Sequence, residues 1–446
     1  MKERDIVGSE RKQIERMSVT ATAQDDGQRQ NGSFRRLLPA VTMSNTRLPA
    51  ELLDHVVDFL YGSRNSLESC CLVSKSWIPR ARKHLFADLV FTAKGLQRWK
   101  TTFPDPSISP VRYTKDLLIT CPLEVAAADG KEGGWITAFT RIVRFELDAF
   151  EVDVDQPGSY LAPFHGFSPA LKSLHLTFYS VPSPQVFDLI CSFPLLDDLT
   201  VTSCHGWIGR DKTPDDQTTA IQSLTSPSFN GSLELDLWTG TDFMASRLLS
   251  LPGGLHFRRL HLELDKEIDA SSITALVKGC RFTLESLEVA CNTDGASIYL
   301  TRVHTNDLSP LVDLPGRIDL SRATQLKDTV FSCNINPRWI ADTLRTITHN
   351  HTSLRRASVV LPIGLCRSNL CYTNPADAIR TVGGTLHQEW LEIDRFLAHL
   401  LESQSIPLEV MYGTQPSTNG QTARSLIECL LPELTGRGLV GLTSGK

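Results

Sequence analysis

Residues 284–292 read Leu284-Glu285-Ser286-Leu287-Glu288-Val289-Ala290-Cys291-Asn292, and residues 196–204 read Leu196-Asp197-Asp198-Leu199-Thr200-Val201-Thr202-Ser203-Cys204. Both have a leucine, a second leucine three positions on, valine two further and Asn or Cys three beyond that. The alternation Leu287-Glu288-Val289 has the period of two of a strand with one buried face. The closing Asn or Cys suits a turn, where it can satisfy buried backbone groups.

Similar short apolar segments recur on both sides. They centre on Leu117-Leu118-Ile119, Phe145-Glu146-Leu147, Leu174-His175-Leu176, Leu233-Glu234-Leu235, Leu260-His261-Leu262 and Ala357-Ser358-Val359. The steps from 174 to 199 and from 260 to 287 are 25 and 27 residues, the range of leucine-rich repeats. Helical stretches such as Gln185–Cys191 and Ser271–Cys280 lie between strands and would pack on the convex side of a solenoid. The pattern is uneven. The copies at 171–179 and 354–362 lack the Asn or Cys, and the interval from 289 to 357 is too long for one repeat. We therefore expect an irregular leucine-rich-repeat-like α/β solenoid over residues 89–435; the competing reading is an ordinary α/β domain.

The closing segment predicts a cap for this array, as a terminal repeat must cover an exposed apolar face. Trp390, Ile393, Leu397, Leu400 and Leu401 have helical spacing, and Pro407 ends that helix. Leu408–Tyr412 reads as a last strand, 413–422 as a polar loop, Ser425–Leu431 as a final helix and 436–446 as a tail.

Ahead of the array the period is different. Leu52, Leu53, Val56, Val57 and Leu60 form the stripe of an amphipathic helix, with Pro49 suited to its first turn and Gly62 to its end. A second helix is predicted from Asn65, with Glu68 in a capping-box position, and a third carries Trp77, Ile78, Ala81, Leu85 and Phe86. Three short helices enclose little core, and apolar surface left over on so small a unit marks a partner site. Residues 1–45 are polar and predict a disordered tail.

The run Leu48-Pro49-Ala50-Glu51-Leu52-Leu53, then Leu67, Leu72-Val73-Ser74-Lys75-Ser76-Trp77 and Leu85-Phe86, resembles an F-box over residues 46–88. The layout of such a box before a degenerate array is similar to F-box proteins abundant in mushroom-forming fungi. The resemblance implies an α+β protein: a small three-helix F-box followed by the repeat array. It implies a substrate-receptor subunit of a Skp–cullin–F-box ubiquitin ligase, cytoplasmic or nuclear. The box would bind the Skp-type adaptor of a cullin-RING ligase and the array an unknown protein substrate. Carried over by position, the adaptor-binding residues are Leu48, Pro49, Leu52, Val56, Leu60, Leu67, Leu72 and Val73. Leu53, Trp77 and Leu85 would hold the box together. The turn Tyr61-Gly62-Ser63-Arg64 varies in length in the family, so the second helix is aligned less firmly than the first. The alternative is a repeat scaffold acting outside a ubiquitin ligase.

Outward strand positions are the candidates for facing a substrate, chiefly His175, Thr200, His261 and Glu288, with Lys172, Asp198, Arg259 and Arg356 beside them.

Composition narrows the function classes. The chain has 446 residues, 45 Lys+Arg against 50 Asp+Glu and 41% hydrophobic residues, so it can bury a sizeable core and lacks the positive charge of a bulk nucleic-acid binder. No apolar run reaches the roughly 18 residues of a membrane helix. The 11 cysteines are odd in number with no Cys-x-x-Cys pair, which suits reduced thiols. No phosphate loop, Gly-x-Ser-x-Gly elbow or His-Glu-x-x-His motif occurs. Asp153-x-Asp155-x-x-Gly158 begins like a calcium loop but has Phe164 where a bidentate Glu is required. His349-x-His351, Cys204-His205 and Cys366-x4-Cys371 lack the further ligands or spacing of a zinc site. We expect no catalysis, cofactor or metal. The insertions at 205–230 and 301–350 are where a rival enzymic reading would place a site.

Overall fold

The computed structural model describes residues 49–106, 109–121, 135–149, 161–165, 167–178, 183–203, 227–237, 241–264, 270–291, 317–332, 337–361, 384–404, 408–412, 428–438 and 443–444. The predicted tail 1–45, the loop 413–422 and residues 425–427 lie outside them. The chain divides into two compact units between Leu53 and Asp54. The first is described only from Pro49, whose carbonyl accepts the N–H groups of Leu52 and Leu53 (3.1 and 3.2 Å). These bonds begin helix α1, Ala50–Phe59.

The expected break after residue 88 does not separate compact units. The helices that follow α1 belong with the sheet, because the first strand begins immediately after them and Tyr61 Oη donates to Asp88 at 3.0 Å. Gly62, at φ +94°, reverses the chain after α1, a conformation that favours glycine. Helix α2 spans Arg64–Val73 with Ser63 at its N-cap. Asn65 therefore lies inside the helix and forms no capping box, and Glu68 instead pairs with Arg64 one turn back at 3.0 Å. Helix α3, Ile78–Leu85, takes Pro79 in its first turn, where no N–H is needed.

Among the described residues twelve strands then form one sheet in sequence order, every neighbouring pair parallel. They are β1 (Asp88–Thr92), β2 (Asp116–Thr120), β3 (Arg144–Ala149), β4 (Ser173–Phe178), β5 (Asp198–Ser203) and β6 (Ser232–Leu237). The order continues with β7 (Arg259–Leu264), β8 (Ser286–Cys291), β9 (Asp328–Ser332), β10 (Arg356–Leu361), β11 (Leu408–Tyr412) and β12 (Thr443–Ser444). Among the connecting helices, α4 is Ala93–Thr102, α5 Ser183–Cys191, α6 Thr241–Leu249, α7 Ala270–Cys280, α8 Pro337–Leu344, α9 Gly384–Gln404 and α10 Pro432–Gly436. A parallel strand beside its predecessor requires a crossover, and crossovers of one hand lay their connections on one side. In keeping with this, α5 packs on α6, α6 on α7, α8 on α9 and α9 on α10.

The recurrence is regular at the backbone. β1 to β5 begin at residues 88, 116, 144, 173 and 198, so their starts are 25 to 29 residues apart. Entering β2, β3, β4 and β5, two successive N–H groups donate to one carbonyl of the preceding strand entry: Ala87, Lys115, Val143 and Lys172 respectively. The same arrangement serves β7, β8, β9 and β10 on the carbonyls of Gly231, Arg258, Glu285 and Lys327. Three residues before the first inward strand position stands another buried group: Thr114, Ile142, Leu171, Leu196, Phe257, Leu284, Leu326 and Leu354. This is the Leu-x-x-Leu spacing of the sequence, repeated in space.

β6 is entered differently. No apolar residue stands at position 230, and Phe229 fills the place instead, wholly buried at φ +45°. Next to it the carboxylate of Asp198 accepts the N–H of Ser232 at 2.8 Å and its hydroxyl at 2.6 Å. A Cβ on Gly231 would collide with that carboxylate.

Inward residues from β2 to β10 (for example Leu117, Leu147, Leu174, Val201, Leu235, Leu262, Val289, Phe331 and Val359) are buried with the helices in one core. From β2 to β8 the intervening outward residues are only half-buried. An ordinary parallel sheet is covered on both faces and its strands are apolar throughout. Here polar outward residues alternate with the buried inward ones from β3 to β7.

Three strands were not anticipated. β1 has only Phe91 fully buried, giving a weak period. β9 hides within the long interval because Thr329 replaces the central leucine of Leu326-x-x-Thr329-x-Phe331. β12 falls in the expected tail and pairs with Met411 and Tyr412 of β11. Its two residues are too few to show periodicity.

Candidate functional site

The helical segment builds a small core from Val57, Leu67, Cys70 and Ala81, ringed by partly buried Leu60, Cys71, Trp77 and Leu85. Asp58 fixes its geometry. Arg80 grips both oxygens of that carboxylate, Nε donating to Oδ1 at 2.6 Å, and His84 Nε2 lies 2.6 Å from Oδ1. The Arg80 and His84 hydrogen bonds hold the Asp58 carboxyl well below the usual carboxylate range. Tyr61 sets its ring edge-on to His84 at 5.6 Å.

With the interior filled this way, several large apolar groups remain outside. In the second unit they are Val56 (49% exposed), Phe59 (89%), Tyr61 (58%), Leu72 (89%) and Val73 (69%). In the first, Pro49 and Leu52 are exposed and Leu53 is partly covered; Leu48 lies outside the described residues. Of the expected adaptor contacts, Leu67 belongs to the core and Leu60 packs against it, because α2 and α3 close over that side. Trp77 and Leu85, partly buried, pack against the same core. Phe59 was missed, although it stands three residues after Val56 and seven after Leu52.

The outward face of the sheet is the second arrangement of interest. Strand register brings His175, Thr200, His261 and Glu288 into one row, with Glu234 between Thr200 and His261. Thr200 Oγ1 donates to Glu234 at 3.2 Å, and His261 Nδ1 lies 3.0 Å from Glu288 Oε2. The Glu288 hydrogen bond raises the His261 pKa, and the same bond lowers that of Glu288. His175 Nδ1 stands 3.9 Å from Glu146. Where the chain enters the strands, Arg259 pairs with Asp198 at 3.7 Å and Arg356 with Asp328 at 3.4 Å, while Lys172 is exposed in its turn. Glu234, Asp236 and Glu263 were missed, although the alternation Leu233-Glu234-Leu235-Asp236 carried the signal.

Three described groups that could carry covalent or metal chemistry are buried. Burial pushes the thiols of Cys191 and Cys280 up to about 12, so both are protonated at neutral pH. His351 is buried, accepts the Thr348 N–H at Nδ1 (3.1 Å) and donates from Nε2 to the Leu320 carbonyl (2.8 Å). Nδ1 thus closes the turn after α8, and Nε2 ties that turn to the segment leading to β9. Among the described residues no group of three or more His, Cys, Asp and Glu is placed to hold a metal. Cys204, His205, Cys366, Cys371, Asp153 and Asp155 lie outside the described residues, as do 205–226 and 301–316 of the insertions. No described helix is long and apolar enough to cross a membrane.

No family model and no curated protein matches the chain.

Proposed function

We propose that the chain is a non-catalytic substrate receptor of a Skp–cullin–F-box ubiquitin ligase, found in the cytoplasm or nucleus. Its helical segment acts as an F-box that docks an adaptor, and its strands form a leucine-rich-repeat-like array that holds a protein target. Strand order, the 25 to 29-residue spacing of the first five strands, the shared-carbonyl entry and the one-sided core all support the array reading.

The observation that carries the docking role is the near-complete exposure of Phe59 and Leu72, each 89%, on helices whose own core is already filled. Apolar side chains left outside so small a helical unit are explained by a partner that covers them. Tethering a target near an activated thioester raises the effective concentration of the reactants, so the receptor needs no catalytic residue of its own.

Capture of a Skp-type adaptor by the full chain tests this. Wild type retains the adaptor, and the pair Phe59→Asp, Leu72→Asp releases it while keeping its melting temperature, because both side chains are already in water. Failure of wild type to retain any adaptor removes the ligase reading.

A further inference from the structure

We infer that the outward sheet face from β3 to β8 docks a lysine- and arginine-rich, extended segment of a partner protein. This deepens the array half of the proposed function by naming the class of target, and rests on that half, not on the adaptor.

The central and exit rows of those six strands hold twelve outward positions. Six are carboxylates (Glu146, Asp148, Glu234, Asp236, Glu263 and Glu288) and none is lysine or arginine. The cations of the face, Arg144 and Arg259, stand on the entry row, where Arg259 is matched by Asp198 and Arg144 acts on Asp116. Six of the chain's 50 acids thus gather on one surface with no lysine or arginine in their rows.

Three of the six have some match: Glu288 with His261, Glu234 with Thr200 and Glu146 near His175. Asp148, Asp236 and Glu263 have no hydrogen bond or ion pair among the described residues. Asp236 and Glu263 are moreover direct register partners on β6 and β7. Like charges placed opposite each other across a sheet are destabilising. A fold keeps such a pair where a ligand of opposite charge offsets it. Burial, then Glu263 and Glu234, push the Asp236 carboxyl up to about 6, and burial with Glu146 raises that of Asp148.

The register partners Asp236 and Glu263, together with Asp148, offer acceptors only, and ammonium and guanidinium groups supply donors with matching charge. The partial exposure of the outward residues from β3 to β8 gives an extended segment room to lie across successive strands.

Fluorescence anisotropy on the full chain at neutral pH and low salt tests the inference. The probes are three labelled peptides of equal length: Lys/Arg-rich, Ser/Gln-rich and Glu/Asp-rich. The cationic peptide binds, the others do not, and added salt weakens the binding. The pair Asp236→Asn, Glu263→Gln weakens it about tenfold or more without lowering the melting temperature. Equal binding of the three peptides, unchanged affinity in the variant, or a lowered melting temperature (which would assign the carboxylates to the fold) each overturns the inference. Cationic binding without adaptor capture removes only the ligase reading. Adaptor capture without cationic binding removes only this inference.

Discussion

The carboxylate of Asp394, on the long helix α9, accepts the backbone N–H of Leu434 at 3.0 Å and that of Glu433 at 2.6 Å. It thus caps α10 from another element, where Leu431 at the N-cap has no side chain able to accept. Burial raises the Asp394 carboxyl while the two amides lower it, and burial is the larger effect. Replacing it leaves two amides without their acceptor. Asp394→Ala is expected to cost about 2 kcal/mol in denaturant unfolding, and Asp394→Asn less, as the amide keeps one acceptor oxygen.

Thr329 of β9 occupies the inward position filled by leucine in β5 to β8, and its buried hydroxyl has no partner among the described residues. Valine has the same shape without the unmet group. Thr329→Val should therefore stabilise the chain by roughly 1 kcal/mol, seen as a higher denaturant midpoint at unchanged slope. A lower midpoint would show that the hydroxyl is bonded.

Gly231 and Asp198 form a coupled pair at the entry to β6. Gly231→Ala drives the carboxylate away from Ser232 and should cost about 2 kcal/mol or more. In an Asp198→Ala background the same substitution costs much less. A double-mutant cycle by thermal unfolding measures the difference, and additive costs would refute the coupling.

Asp236 titrates higher in the fold than its ordinary 3.8, at about 6. The groups facing it are Glu234 on its own strand, Glu263 and His261 on β7, and uncharged Thr202 on β5. A raised carboxyl favours the folded state when protonated. The penalty is therefore complete above about pH 6, shrinks as pH falls, and is absent below 3.8. Asp236→Asn should raise stability by roughly 0.5 kcal/mol at neutral pH and lose that gain near pH 4. Melting temperatures of both proteins across this range check the sign.

His351 spans from the turn after α8 to the Leu320 carbonyl. Its loss strips a buried carbonyl and the Thr348 N–H of their partners. His351→Ala should cost about 1–3 kcal/mol, with no change in metal content on elemental analysis.

Local chemistry made most of the sheet legible. An alternating apolar pair such as Leu287 and Val289 needs only its own strand to declare an inward face, and eight central strands as well as β11 carry that signal. The amphipathic stripe of α1 was readable for the same reason. Local pattern thus tells which residues can face a core and at what interval they return.

Tertiary structure decided the rest, because those outcomes depend on neighbours distant in the chain. Thr329 becomes a core residue only because the strands on either side hold β9 in register. Leu67 goes inside and Leu72 outside although both are leucines of one helix, since α3 covers only one side of α2. Phe229 accepts a positive φ because its ring fills a site leucine occupies elsewhere. The acids Asp236 and Glu263 lie 27 residues apart in sequence and become opposed charges only when β6 and β7 pair. Side-chain period is a property of a few consecutive residues, while burial, opposition and charge convergence belong to the register between segments.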